Sequence, residues 1–410
     1  MKNMKELFCL VLAAAMLLSV MAGCGAKTET STAASETTES ASSETASTES
    51  GETAATDGEI TIAFIGNTTG DYAQYGIPVR NAVMLYFDQL NAAGGINGYP
   101  VEFLWQDDEH DTEKAVNAYN SLKDQGMQML MGTVTSAPCT AVVALTSEDN
   151  MFQLTPSGSA VESIKGDNAF RVCFSDPNQG VGSADYFAEH FPDAKVGVVY
   201  NSSDVYSNGI YKTFKAEAAA KGVNVVAAEA FTKDSAQDFT VQIQKMKEAG
   251  ADLVFLPFYA QEASLFLTQA DKAGLDVQFF GCDGLDGVID QLGSNAKLAE
   301  GVMLLTPFAA DSDNAESKAF TEAYEAKYNG EVPNQFAADA YDAMFIIKAA
   351  AEKAGVTPDM SVSDLCEAMK KAMTEIEFTG ATGTMTWSAD GEPNKTPMAM
   401  VIKDGTYKAL

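Results

Sequence analysis

Positive charge is what this sequence has least of. Its 410 residues hold 26 lysines and arginines against 57 aspartates and glutamates, for a net charge of −31. Arginine occurs only at Arg80 and Arg171. A surface of this sign repels phosphate backbones, which excludes nucleic acid as a partner. It also gives no electrostatic hold on anionic lipid. Histidine is as scarce, with only His110 and His190. Neither has a second ligand at metal-binding spacing, so no metal site is assigned. A serine–histidine–aspartate device needs a histidine beside its nucleophile. His110 is expected in a solvated acidic turn, His190 at the exposed end of a helix, and no GxSxG elbow occurs. The stretch "GTVTSAP" lacks the lysine of a phosphate loop, and no GxGxxG follows a strand. No catalytic residue and no cofactor are assigned. No enzymatic activity is expected.

A run long enough to span a membrane is missing too. The longest apolar stretch, residues 7–21, follows Lys2 and Lys5 and suits a secretory signal. It ends in "MAGCG", which resembles a bacterial lipobox with methionine where leucine is usual. Residues 1–23 are therefore expected to be a signal peptide and Cys24 a lipidated N-terminus. Residues 24–58 form a Ser/Thr/Ala/Glu tract without aromatics. Such a tract buries too little apolar surface to offset its ordering entropy, and it is expected to be a disordered tether. The expected location is the extracytoplasmic face of a bacterial membrane, held there by the lipid. The cysteines beyond the leader, Cys139, Cys173, Cys282 and Cys366, are scattered with no CxxC pattern. They read as small buried hydrophobes, with a Cys139–Cys173 bridge as the alternative.

What remains alternates strand and helix. "EITIAFIG", "YPVEFLWQDD", "MQMLMG" and "MFQLTP" read as strands, with amphipathic helical stretches between them. Asp111 is placed to cap the second helix. A second series follows, with strands at "KVGVVYN", "VNVVAAEAF", "ADLVFLPFY", "VQFFG" and "EGVMLLTPFA". Three helical stretches then cover about 314–375. The tail "GTMTWSADGEPNKTPMAMVIKDGTYKAL" reads as antiparallel strands turning at "ADGE" and "KDGT". Two successive α/β units with parallel sheets are predicted.

Open α/β sheets bind ligands beyond the carboxyl ends of their strands. The loops there are "GNTTGDYAQYG", "GTVTSAPC", "TPSGSA", "NSSDVYSNG", "PFYAQE" and "GCDGLDG". They are rich in hydroxyls, glycine and tyrosine and poor in cations. An anionic ligand group would have to be held by hydroxyls, backbone N–H groups and a helix N-terminus. Thr135, Ser136, Ser157 and Ser159 are the candidates, on adjacent strand ends. Simple helix capping is the competing role for each.

The order and spacing of "AQYGIPVRNAVMLYFDQLNAAGGINGYPVEFLWQDDEHDTEKAV", "GTVTSAP", "TPSGSA", "FRVCFSDPNQG" and "AADAYDAM" resemble the leucine/isoleucine/valine-binding proteins of branched-chain amino-acid uptake. The resemblance runs from about residue 60 to the C-terminus. It implies two doubly wound α/β lobes with mainly parallel sheets, joined by a three-crossover hinge. Lobe 1 would comprise 59–175 and 306–379, and lobe 2 176–305 and 380–410. It implies that a ligand carboxylate is held by Ser136 with Ser157 and Ser159, where the family usually has alanine and threonine. Tyr75, Tyr206, Tyr259 and Phe336 match aromatic wall positions. Asp283 matches an acidic residue, commonly glutamate, that pairs with the ligand ammonium. The implied function is capture of a neutral amino acid, most simply a branched aliphatic one, and delivery to an ABC permease by a monomer. The same clamp for an amide or aromatic acid, or a ligand-sensing module, is the alternative.

The anchor is directly testable. Cys24→Ala should release the protein from membranes and leave ligand affinity unchanged. Persistent partitioning of that variant into the detergent phase would reject lipidation at Cys24.

Overall fold

The computed structural model describes residues 58–410. The signal segment, Cys24 and all but the last residue of the tether lie outside the described residues. The chain begins with β1 (Ile60–Gly66), α1 (Ala73–Ala92), β2 (Val101–Asp107), α2 (Thr112–Asp124), β3 (Met129–Gly132), α3 (Ser136–Glu148), β4 (Gln153–Thr155) and β5 (Ala169–Arg171). It continues with α4 (Asp176–His190), β6 (Val196–Asn201), α5 (Val205–Lys221), β7 (Val225–Phe231), α6 (Thr240–Ala249), β8 (Leu253–Leu256), α7 (Ala260–Ala273), β9 (Gln278–Gly281), α8 (Val288–Leu292) and β10 (Met303–Thr306). Last come α9 (Ala315–Lys327), α10 (Gln335–Ala354), α11 (Val362–Met373), β11 (Phe378–Gly380), β12 (Gly383–Met385), β13 (Met398–Lys403) and β14 (Thr406–Ala409).

β1, β3 and β8 are buried at every residue. Continuous apolar runs of this kind belong to parallel strands covered on both faces. The first sheet has the order β2-β1-β3-β4-β5 and is parallel throughout. The second has the order β14-β13-β10-β9-β8-β6-β7, parallel except for β13 and β14. From the β7 edge inward it repeats the strand order of the first sheet. Each sheet is the core of one doubly wound α/β lobe. In each, strand order reverses next to the first strand, which is where such sheets leave a crevice.

The chain crosses between the lobes three times: between β5 and α4, between β10 and α9, and between β12 and β13. Helices α9 and α10 join the first lobe although they follow the second sheet. The Tyr328 hydroxyl donates to Asn81 O at 2.7 Å, and Tyr86 packs edge-on against Phe345 at 4.3 Å. Helix α4 belongs with the second sheet, where Phe187 meets Phe214, Phe255 and Phe280 at 4.9–5.6 Å.

Several sequence expectations need correction. β5 and α8 are too short to show a period, and neither was foreseen. The helix read over "SAQDFTVQIQKMKEAG" starts later than its pattern suggests: α6 begins at Thr240, because Asp238 draws the Thr240 N–H at 2.9 Å and a 3-10 turn occupies Lys233–Ser235. Asp111 does cap α2, accepting from the N–H groups of Glu113 and Lys114. Cys139, Cys173, Cys282 and Cys366 are all free and buried, so the Cys139–Cys173 bridge is not formed. Among the described residues, no helix is long and apolar enough to cross a membrane.

One buried ion pair pins the crossings. The Lys395 ammonium pairs with Asp339 at 2.5 Å and donates to Val172 O at 3.1 Å and Thr382 Oγ1 at 2.8 Å. Both side chains are almost fully buried. It ties the first crossing, the third crossing and α10 together. Removing one partner leaves an uncompensated buried charge. Lys395→Met should lower unfolding free energy by about 3–5 kcal/mol in urea titrations. Adding Asp339→Leu should recover most of that loss. A double variant as unstable as the single one would mean the pair is only incidental to the hinge.

Candidate functional site

The loops that follow β1, β3 and β4 in the first lobe and β6, β8 and β9 in the second line one cavity between the lobes. Eight of the nine residues expected to bind ligand lie on its wall: Tyr75, Thr135, Ser157, Ser159, Tyr206, Tyr259, Asp283 and Phe336. Val134 and Gly284 complete it. Ser136, the ninth, is buried beside them, its Oγ 3.5 Å from Ser159 Oγ. The cavity volume is about 10 Å³, room for the centre of roughly one water molecule. A larger solute enters only if the lobes part.

One side of the cavity faces the start of α3. β3 ends in Gly132, whose φ of +132° suits glycine, and a Cβ there would come within 2.5 Å of Ile65 O. The chain therefore turns tightly into α3. The first turn of α3 has no side-chain cap. Its leading N–H groups have no acceptor within the helix. The hydroxyls around it are not caps. Thr135 Oγ1 lies 2.8 Å from His110 Nδ1. Ser136 Oγ accepts from Ala160 N at 3.2 Å, and Ser157 Oγ donates to Val134 O at 2.6 Å. These bonds sew the ends of β3 and β4 together. Arg171 is wholly buried beneath them and donates from its guanidinium to Gly158 O at 3.0 Å and to Ser159 O. It holds the loop in place and does not form a fork for the ligand.

The second-lobe side carries an acid. Asp283 is buried, and Tyr206 donates its hydroxyl to Oδ1 at 2.7 Å, with Gly284 N also at 2.7 Å. Gly284 must be glycine, because a Cβ would meet the Tyr206 hydroxyl at 2.6 Å. Burial pushes the Asp283 pKa up to about 7, and the bonds from Tyr206 and Gly284 only partly oppose it. Asp176, at the start of α4, is also buried, and neither carboxyl oxygen has a hydrogen-bond partner. Burial, reinforced by the charge of Asp283, raises its pKa well above the ordinary carboxylate range.

Aromatic rings form the rest of the wall. Tyr206 stacks on Tyr259 at 4.7 Å, and Tyr75 meets Tyr259 at 5.3 Å and Phe336 at 4.9 Å. Tyr75 also latches the lobes: its hydroxyl donates to Gly284 O at 2.6 Å and accepts from Ala260 N at 2.8 Å. Tyr72 adds a second latch to Glu262 at 2.6 Å.

His110 corrects the sequence reading. It is half-buried, stacked on Tyr72 at 4.1 Å and edge-on to Tyr259 at 5.6 Å. Burial lowers its pKa to about 4, with Lys233 adding to the effect, so it is neutral at ordinary pH. Its φ of +60° turns it back toward the cavity rim. No pattern in "QDDEHD" announces that turn. Asp176, Tyr72 and Glu262 were missed as well. Tyr72 shares a loop with Tyr75, and Glu262 with Tyr259, so loop membership was the available signal.

Comparisons with known proteins agree with this fold. Residues 59–406 match the family model for the periplasmic binding proteins. The chain is 31% identical over 312 residues to the leucine-, isoleucine-, valine-, threonine- and alanine-binding protein of Pseudomonas aeruginosa, covering 75% of this chain and 82% of that one. It is 29% identical over 337 residues to Leu/Ile/Val-binding protein homolog 3 of Brucella melitensis, covering 81% and 88%. Among solved structures it is similar to the branched-chain amino-acid transporter substrate-binding protein LivJ of Streptococcus pneumoniae in complex with isoleucine. That match has a TM-score of 0.78 and 28% identity over 86% of this chain and 98% of the other. A solute-binding protein of R. palustris in complex with benzoate shares the fold, with a TM-score of 0.77 and 23% identity over 86% and 96%.

The buried acids fix the sign of the pH dependence. Asp108, Glu262 and Asp283 have pKa values raised to about 7, and Asp204 and Asp342 to about 6, in each case chiefly by burial. Their unfolded values are near 4, so the folded chain binds more protons over that interval. Stability from these groups is complete below about pH 4 and is lost as pH rises through about 7. His110 acts oppositely but is one group against five. The melting temperature should fall between about pH 5 and pH 8, and more gently in Asp283→Asn. An identical slope in that variant would mean Asp283 is already ionised at pH 5.

Proposed function

The chain belongs to the periplasmic binding protein family, and we propose that it is the solute-binding component of an ABC importer that captures a neutral, branched-chain amino acid between its lobes. The observation that carries this reading is the pairing of opposites in one cavity. The uncapped start of α3 favours an anion. Asp283, buried opposite it, favours a cation. The aromatic wall between them suits an apolar side chain. An α-amino acid has these three parts in that arrangement. The names of the similar proteins from Pseudomonas and Brucella support the same ligand class. An aromatic acid in the same clamp is the second reading, favoured by the fold shared with the benzoate complex. Against it, an acid without an amino group would leave Asp283 with no counter-charge.

Delivery follows from the same reading. The lobes part to admit the solute, close through Tyr75 and Tyr72, and present it to the permease as a monomer. The family is extracytoplasmic, and Cys24 would tether the protein to the membrane. Lobe 1 would comprise 59–175 with 306–379, and lobe 2 176–305 with 380–410. The bonds that Thr382 donates to Asp342, that Trp387 donates to Arg171 O and that Arg171 N donates to Gly391 O favour shifting the last boundary toward residue 396.

Calorimetry with leucine and its deaminated analogue, 4-methylpentanoate, tests the roles separately. Asp283→Asn should cost leucine roughly 2–5 kcal/mol of binding, by leaving its ammonium buried and unpaired, and cost the analogue little. Ser136→Ala should weaken both by about 1.5–3 kcal/mol, the scale of a hydrogen bond to a charged group. Equal losses for both ligands in Asp283→Asn would remove the amino group from the recognition scheme.

A further inference from the structure

A second cavity, far larger than the first, lies beside the crossing between β10 and α9. Its volume is about 530 Å³, within the span of about 300–1,000 Å³ typical of small-molecule sites. The first lobe contributes the start of α1, α9 and the approach to α10. The second lobe contributes α8, the end of β10 and β14. The floor is apolar, with Ile77, Ile289, Leu304 and Phe308 among its residues.

The charge on its walls is unbalanced. Five acids line it: Asp286, Asp290, Asp311, Glu325 and Glu331. The one cation on the wall, Lys408, is bound to Asp311 at 2.5 Å. Asp290 is exposed and Glu325 half-buried, and neither carboxylate has an ion-pair partner among the described residues. One buried polar side chain of the wall is unsatisfied as well. Thr321 is 8% exposed and its hydroxyl has no partner. The acids stand on separate elements, and no described group of three or more acids, histidines or cysteines could hold a metal ion.

We propose that this cavity is a second ligand site, for a small organic cation with an apolar body, whose occupant favours the closed clamp. Its apolar floor suits the body, and the unpaired carboxylates of Asp290 and Glu325 suit the charge. The cavity takes its walls from both lobes, so an occupant contacts them together only when they are closed. It also shares a partition with the first cavity. Gln335 donates its backbone N–H and Nε2 to Asp286 Oδ2 at 3.1 and 3.2 Å, and Nε2 also reaches Asp283 O at 3.3 Å. A ligand that binds the closed form better must tighten binding at the first site, and the reverse holds equally. This coupling rests on the amino-acid reading above; the existence of the cation site does not.

The test is calorimetry on the full chain with 2-phenylethylamine as the organic cation and 3-phenylpropionate as its charge-reversed counterpart. Wild type should bind the amine at least about tenfold more tightly than the acid. Asp290→Asn combined with Glu325→Gln should weaken amine binding by about tenfold and leave leucine affinity, measured without amine, unchanged. Saturating amine should tighten leucine binding by about fivefold or more. The cation site is overturned if the acid binds as well as the amine, if the double variant binds the amine like wild type, or if leucine competes the amine away. Leucine affinity that ignores the amine overturns the coupling. A wild-type chain that binds the amine but no leucine would reject the amino-acid reading and leave the second site standing.

Discussion

The carboxyl group of Asp283 is cut off from water, and much of the cleft is arranged around that constraint. Tyr206 and Gly284 donate to it, and Gln179 and Gln335 bond its backbone N–H and carbonyl. Even so, burial outweighs these bonds and holds its pKa near 7. Such a group is close to indifferent between its neutral and charged forms. A cation placed against it would settle the balance toward the charged form.

The scarcity of arginine fits the same scheme. A guanidinium facing the ligand would hold a carboxylate tightly and would also neutralise Asp283 in the closed cleft. Arg171 is instead buried under the "TPSGSA" loop, where its charge fixes two carbonyls in place. In the proposed scheme the anion is left to helix N–H groups and hydroxyls. These carry partial charges and leave the acid opposite them unpaired. The hinge uses full charge where no ligand comes, in the Lys395–Asp339 pair that joins two crossings to α10.

The closed lobes are held by few polar bonds across the cleft. Tyr75 and Tyr72 make two of the most direct, and the rings of Tyr259 and His110 fill the space around them. The acid-walled cavity beside the second crossing opens and closes with the lobes, because its walls also belong to both.

Much of this was legible in the sequence. Continuous apolar runs such as "MLMG" and "LVFL" mark strands buried on both faces, because nothing else so short and apolar sits between polar loops. Asp111 marks a helix start because a carboxylate there accepts two free N–H groups. The loops at the strand ends, and the hydroxyls and tyrosines they carry, follow from the strand pattern together with the family resemblance. Tertiary structure decided the rest. It turned His110 inward through a left-handed backbone angle that "QDDEHD" does not advertise. It made Arg171 a strut. It stripped Asp176 and Asp283 of water. Local sequence fixes which backbone bonds a segment can make, whereas solvation and long-range partners depend on which segments, a hundred or more residues apart, close over it.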